Sequence, residues 1–271
     1  MPSPLVADAS ADRFSAIASA SYDGVAVRDL ARRLAVPRVA AFESISSTFD
    51  EAHRLAEQGA EAGTLVVADA QTAGRGRYGR TWASEPGAGV WLTLIERPSE
   101  PSSLGVLPLR VGLALAPEAE RFTDGLVSLK WPNDVYAGGG KLAGVLVEAR
   151  WKAESLEWIA IGVGVNVRAP AASIAGGGAV ASLRPGISRA ALLEAIVPAL
   201  RRAVATTGPL SAAERAAFAR RDLALGRACI EPTAGRVRGV AADGALVVQR
   251  DDGSMVLERG GSLVLLPEEA S

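Results

Sequence analysis

The chain holds a single cysteine, Cys229, and a single histidine, His53, in 271 residues. One cysteine excludes an internal disulfide and fits a reducing compartment. One histidine and one cysteine leave no cluster of soft ligands for zinc or haem. Neither acid nor base dominates: the net charge is −1, so no overall attraction to nucleic acid or a membrane surface arises. No hydrophobic N-terminal run resembles a signal peptide, and no stretch approaches a membrane span. A cytoplasmic protein that binds neither membrane nor nucleic acid is expected. The pattern Gly-x-x-x-x-Gly-Lys-Ser/Thr is also missing, so any nucleotide is held by something other than the common P-loop.

What is present is a globular composition, 49% hydrophobic and 22% charged, long enough for one large domain and a smaller one. Residues 1–38 form a short Ala-, Ser- and Arg-rich segment with a helix near Val27–Leu34, too short for a helix-turn-helix reader. Residues 39–221 read as one domain. Strands are expected at Val39–Ser46, Thr64–Ala70, Gly89–Glu96, Leu126–Trp131, Val135–Tyr136, Lys141–Trp151 and Leu156–Val167. Helices are expected at Thr48–Gln58, Val106–Phe122, Ser188–Ala205 (kinked at Pro198) and Ser211–Arg221. Gly176–Gly178 reads as a flexible connection. Ser47-Thr48 reads as a helix cap, with Thr48 and Glu51 matching a capping box. From Asp222 to Ser271, short β-like runs alternate with Asp243-Gly244 and Asp252-Gly253 turns, which predicts a small β-barrel.

The stretch Gly74-Arg75-Gly76-Arg77-Tyr78-Gly79-Arg80, followed by Thr81-Trp82, places three glycines and three arginines within seven residues directly after a strand. Glycine lets a backbone approach a ligand closely, and arginine forks match carboxylate and phosphate. Gly74-x-Gly76-x-x-Gly79 also satisfies the dinucleotide fingerprint, with Glu96 where the ribose-binding acid belongs. That fold needs a helix immediately after the glycines, and Pro86, Gly87 and Gly89 forbid one. The loop is instead suited to wrapping an anion. Empty, with few apolar anchors and three mutually repelling arginines, it is expected to be unordered.

Two further motifs carry cations. Lys130-Trp131-Pro132-Asn133-Asp134 ends a strand, where a plain turn would explain the proline and Asn/Asp. Gly140-Lys141-Leu142-Ala143-Gly144 follows, and a hairpin between them would bring Lys130 and Lys141 to one end of a sheet. In Ile161-Gly162-Val163-Gly164-Val165-Asn166-Val167 small residues alternate with aliphatic ones. Glycine inside a strand implies close approach of a ligand or tight packing against a helix. His53 reads as a helix-surface residue and Cys229 as a small core residue.

Taken in order, GRGRYGRTW, KWPND, GKLAGVLVE and IGVGVNV resemble the biotin–protein ligases, over roughly residues 39–271. The resemblance implies an α+β fold: a mixed, mostly antiparallel sheet packed with helices, class II synthetase-like, plus a small C-terminal SH3-like β-barrel. It implies a ligase that activates biotin with ATP to biotinyl-5′-AMP and transfers biotin to a lysine of a biotin carboxyl carrier protein. Magnesium is implied as the partner of ATP, and a homodimer is allowed. The resemblance assigns Ser47, Thr48 and Gln71 to the ureido end of biotin. Gly74, Arg75, Gly76 and Arg77 form a loop over biotin and its adenylate, with Arg77 spanning carboxylate and phosphate. Lys141 neutralises that centre, and Gly144 and Gly162 give the ligand backbone access. Arg80, Trp82, Lys130, Asn133 and Asn166 serve the nucleotide, and Asp134 orients the incoming lysine; no metal ligand is assigned. Phe49 departs from the family, which usually has an amide there, and Tyr78 stands at a variable, often basic, position. The chain resembles the ligase-only type, without a DNA-binding domain. Lipoate–protein ligases, a biotin-responsive regulator and an adenylate-binding relative without transferase activity are the competing readings.

Overall fold

The computed structural model describes residues 16–98, 100–168 and 179–267; the connection expected at Gly176–Gly178 lies outside them. In chain order the elements are β1 (Ile17–Ser19), β2 (Ser21–Tyr22), β3 (Val25–Ala26), α1 (Val27–Leu34), β4 (Val39–Ile45), α2 (Thr48–Glu57), β5 (Leu65–Gln71) and β6 (Gly89–Glu96). They continue with α3 (Leu107–Glu120), β7 (Val127–Lys130), β8 (Asp134–Ala137), β9 (Gly140–Lys152), β10 (Ser155–Asn166), α4 (Arg189–Ala205) and α5 (Ala212–Arg221). A final set comprises β11 (Ala228–Glu231), β12 (Gly235–Val240), β13 (Leu246–Gln249), β14 (Met255–Glu258) and β15 (Val264–Leu265).

An eight-stranded sheet runs β1-β4-β5-β6-β10-β9-β8-β7. Its one parallel pair, β4 with β5, is joined through α2, as a parallel connection requires. The other neighbours are antiparallel, so the mixed, mostly antiparallel α+β expectation holds. β1 and the β2–β3 hairpin had no counterpart in the sequence reading. Every residue of β6 is buried, because helices cover both faces of the central sheet. α4 runs unbroken through Pro198 as one seventeen-residue helix.

Strand pleating assigns the two faces different work. Leu92, Leu94, Ile161, Val163, Val165 and Val145 join the larger core with side chains of α1, α3 and α4. The opposite face carries α2 over Val66, Ala68 and Ile95. On that same face lie Thr93 opposite Gly162, Trp91 opposite Gly164, and Gly164 opposite Gly144. The alternation of glycine and aliphatic residues in β10 is thus a division of faces: aliphatics to the core, glycines toward α2 and the cavity beside it.

β11 to β15 form a separate five-stranded antiparallel sheet in the order β14-β13-β12-β11-β15, as expected of a small SH3-like unit. Both predicted Asp-Gly turns close hairpins, with Gly244 and Gly253 at φ 83 and 84. The first hairpin docks on the larger unit: the Trp131 indole donates to Gly244 O at 3.0 Å, and Leu210 N donates to Ala242 O at 2.7 Å. A Cβ at Gly244 would lie 3.2 Å from Gly105 O, so the contact itself calls for glycine. Among the described residues no helix is long and apolar enough to cross a membrane.

Asp222 sits where the last helix leads into this sheet. Its Oδ1 accepts from Ala224 N at 2.9 Å, while Oδ2 is buried without a hydrogen-bond partner among the described residues. Burial pushes its carboxyl up to about 6. Because the folded value lies above the unfolded one, the associated stability is complete below 3.8 and is lost as pH rises through about 6. Asp222→Asn, which keeps the Oδ1 acceptor, is expected to stabilise the protein by about 2 kcal/mol at neutral pH, shrinking steadily toward about pH 4. Thermal melts across that range measure it; a gain independent of pH would contradict it.

Candidate active site

A cavity of about 510 Å³ opens beside the start of α2, against the glycine-bearing face of the sheet. Five cations line it, Arg75, Arg77, Arg80, Lys130 and Lys141, against one carboxylate, Asp134. In a chain of net charge −1 this is a local concentration of positive charge, suited to anions.

At one end a polar chain crosses three elements. Thr93 Oγ1 donates to Thr48 Oγ1 (2.9 Å), and Thr48 donates to Gln71 Oε1 from its backbone N (2.8 Å) and its hydroxyl (3.1 Å). The Gln71 amide then donates to Ser84 Oγ at 2.8 Å. Donors and acceptors at this end of the cavity are thereby fixed in orientation. The helix cap differs from expectation. Ser47, fully buried, is the N-cap and accepts from Phe49 N at 3.2 Å, leaving Thr48 free for Gln71. Glu51 pairs with Arg54 rather than closing a capping box.

At the other end, Lys141 Nζ lies 2.7 Å from Asp134 Oδ1 and 5.1 Å from the Trp82 ring centroid. The β7–β8–β9 meander that brings Lys130 and Lys141 together is the hairpin the sequence implied. Burial holds the Lys130 ammonium below the ordinary lysine value, and Lys141, Arg227 and Arg80 add to this against the pull of Asp134. Burial, with Asp134 nearby, pushes the Tyr136 hydroxyl up to about 12.

The glycine–arginine loop lies between these ends. After Gly76 come only a three-residue helical turn that includes Gly79, Arg77–Gly79, and then β6, so the dinucleotide geometry is absent as expected. The arginines do not face one another unpartnered. Arg75 meets Asp50 at 3.1 Å and Glu148 at 3.4 Å and lies over the Phe49 ring at 5.2 Å. Arg77 donates to Asn133 Oδ1 at 3.3 Å, and Arg80 donates to Ser262 Oγ at 3.1 Å. Each loop arginine thus has a partner where mutual repulsion was expected.

Most residues named from the sequence line the cavity: Thr48, Gln71, Arg75, Gly76, Arg77, Arg80, Trp82, Lys130, Asn133, Lys141, Gly144 and Gly162. Three do not. Ser47 caps α2 from beneath; Gly74 closes the base of the loop, accepting from Trp82 N at 2.8 Å. Asn166, placed with the nucleotide from the sequence, is buried and donates to Lys141 O at 3.1 Å, bracing the strand that carries Lys141. Asn133 likewise braces β9, donating to Val145 O at 2.7 Å.

The intra-strand glycines are occupied by the chain's own rings. A Cβ on Gly164 would lie 2.7 Å from Trp82 Nε1, and one on Gly144 would lie 2.9 Å from the same indole. A Cβ on Gly162 would lie 2.1 Å from the Phe49 ring, so packing against α2 calls for glycine here. Phe49, left off the site by the sequence reading, is therefore a wall of the cavity. Gly162→Val is expected to cost about 1–3 kcal/mol by overpacking, and Phe49→Ala in the same chain to restore most of it. Additive losses in denaturant melts of the double variant would contradict this pairing.

His53 also differs from its expectation as a surface residue. Trp158 Nε1 donates to its Nδ1 at 3.0 Å, which leaves Nε2 to donate to Glu148 at 2.9 Å. This hydrogen bond, with Arg75 beside it, holds the Glu148 carboxyl below the usual range. Cys229 is buried, as expected. Ser262, Leu263 and Val264 of the small sheet line the cavity too, a contribution no local motif announced.

Residues 41–166 match the Biotin/lipoate A/B protein ligase family. The chain is 43% identical over 124 residues to the bifunctional ligase/repressor BirA of Bacillus subtilis, covering 45% of this chain and 38% of that protein. It is 39% identical over 118 residues to the biotin–[acetyl-CoA-carboxylase] ligase of Mycobacterium tuberculosis, covering 39% of this chain and 40% of the relative. The matches thus span about two fifths of these curated relatives. The biotin protein ligase of Aquifex aeolicus in complex with biotin and ATP superimposes with a TM-score of 0.71 at 25% identity, over 85% of this chain and 99% of that one. Residues 41–166, which build most of the cavity wall, thus match the biotin/lipoate A/B protein ligase family, within a fold shared with biotin protein ligase.

Proposed function

We propose that the chain is an ATP-dependent biotin–protein ligase that forms biotinyl-5′-AMP and transfers biotin to a lysine of a biotin carboxyl carrier protein domain. One observation carries the reading: a single cavity is lined both by the oriented Thr48–Gln71 pair and by Arg77, Arg80, Lys130 and Lys141. Thr48 and Gln71 bind the ureido ring, and the cations gather the biotin carboxylate and the α-phosphate. A carboxylate oxygen attacks the α-phosphorus and pyrophosphate leaves. The amine of the carrier lysine then attacks the acyl carbon, AMP departs, and the amine loses a proton.

Two anions must meet in the first step, so positioning and fixed positive charge supply the catalysis. Lys141 faces the reacting oxygens once it exchanges Asp134 for substrate, and Arg77 bridges carboxylate and phosphate. The Trp82 indole lies beside the nucleotide, and Asp134, released from Lys141, accepts from the incoming ammonium. Magnesium, bound with the triphosphate, would be held mainly by phosphate oxygens and would neutralise their charge. Among the described residues no group of three or more His, Cys, Asp or Glu side chains could hold a metal.

The test is transfer of biotin to an apo carrier domain, detected by mass, with ATP and magnesium and with lipoate as competitor. A biotinylated lysine unaffected by lipoate is expected. Lipoylation in preference to biotinylation, or no transfer of biotin, would sink the reading.

A further inference from the structure

Tyr78 is 64% exposed, yet its backbone lies at φ 56, ψ 36, in the left-handed region. A bulky side chain is uncommon there and persists only where its surroundings impose it. Burial does not hold this residue; its hydroxyl and ring do. The hydroxyl accepts from Gly261 N at 2.7 Å and from Arg77 Nη2 at 3.0 Å. The Arg77 guanidinium also stands 4.8 Å from the Tyr78 ring centroid, and its other arm reaches Asn133. Two residues on, Arg80 donates to Ser262, next to Gly261.

We propose that Tyr78 is a positioning residue for adenylate formation: it sets the Arg77 guanidinium at the cavity and ties the loop to Gly261, making the small β-sheet part of the reacting centre. This rests on the ligase reading above. A free arginine on a glycine-rich loop samples many rotamers. Held between Asn133 and Tyr78, it keeps its remaining N–H groups in one orientation for carboxylate and phosphate. The residue type matters. Lysine or arginine at this position has donors only and could accept neither from Gly261 N nor from Arg77. Tyrosine supplies the acceptor and, through its ring, a second attraction for the cation.

The test compares Tyr78→Phe, which keeps the ring and loses the hydroxyl, in wild-type and Arg77→Ala backgrounds. In the wild-type background kcat for biotinyl-adenylate formation is expected to fall about tenfold, as for loss of one hydrogen bond to a charged group, with KM for biotin and ATP little changed. In the Arg77→Ala background the same substitution is expected to change kcat less than about twofold, because the group it positions is gone. Equal effects in both backgrounds, or unchanged kcat in the first, would overturn the proposal. Tryptic cleavage of the loop is read on the same proteins without substrate. Tyr78→Phe is expected to be cut several-fold faster after Arg75, Arg77 or Arg80, and equal rates would overturn the tie to Gly261. A wild-type protein that forms no adenylate defeats the ligase reading instead, and the cleavage rates still decide the tie.

Discussion

Lys141→Ala is expected to lower biotinyl-adenylate formation by about 10³-fold or more, the scale of removing a charge aimed at a transition state in a water-poor site. The Lys141 ammonium is 2.7 Å from Asp134 and 5.1 Å from the Trp82 ring centroid, and the Lys141 backbone is braced by Asn166 and by Ala179 O. Removing the side chain also takes away the close ion-pair partner of Asp134 where two anions must meet, so repulsion adds to the lost attraction. Lys141→Arg is expected to recover little, since the planar fork cannot replace a point charge at that distance. Single-turnover formation of biotinyl-AMP measures the loss, and a decrease smaller than tenfold would remove Lys141 from the reacting centre.

Arg110→Ala is expected to be the most destabilising single change, costing about 3–5 kcal/mol. Arg110 is 3% exposed. Its guanidinium donates to Glu214 at 2.6 Å and to the carbonyls of Thr206, Gly208 and Pro209 at 2.9, 3.2 and 3.1 Å. The three carbonyls belong to the turn between α4 and α5, and Glu214, in the first turn of α5, completes its capping box with Ser211. Truncation leaves a carboxylate and three carbonyls facing an empty volume. A melting temperature about 10 °C lower is expected for a chain of this size. Denaturation of Arg110→Ala against wild type checks it, and a shift of only a degree or two would contradict it.

Much of this arrangement was legible in the sequence because it is local. Apolar runs marked β5, β6 and β10, and Asp-Gly pairs marked the hairpins of the small sheet, since each depends on neighbours along the chain. β1 and the β2–β3 hairpin were not legible: strands of two or three residues carry no periodicity, and pairing with distant β4 creates β1. In the site, loop cations and lysines declared themselves by type. What stayed hidden were pairings across the fold: Phe49 on Gly162, Trp82 between Gly144 and Gly164, and Tyr78 on Gly261. Asn166 was misplaced for the same reason. The family resemblance of the 161–167 motif implied a nucleotide contact, whereas in the fold the buried amide donates to a backbone carbonyl.

The central claim is that this cavity joins the biotin carboxylate to the α-phosphate of ATP. Exchange of label between pyrophosphate and ATP tests it without any carrier protein. The account predicts exchange that requires biotin and magnesium in the wild-type protein and is absent from Lys141→Ala. Wild-type protein that shows no biotin-dependent exchange, or Lys141→Ala exchanging at the wild-type rate, would contradict it.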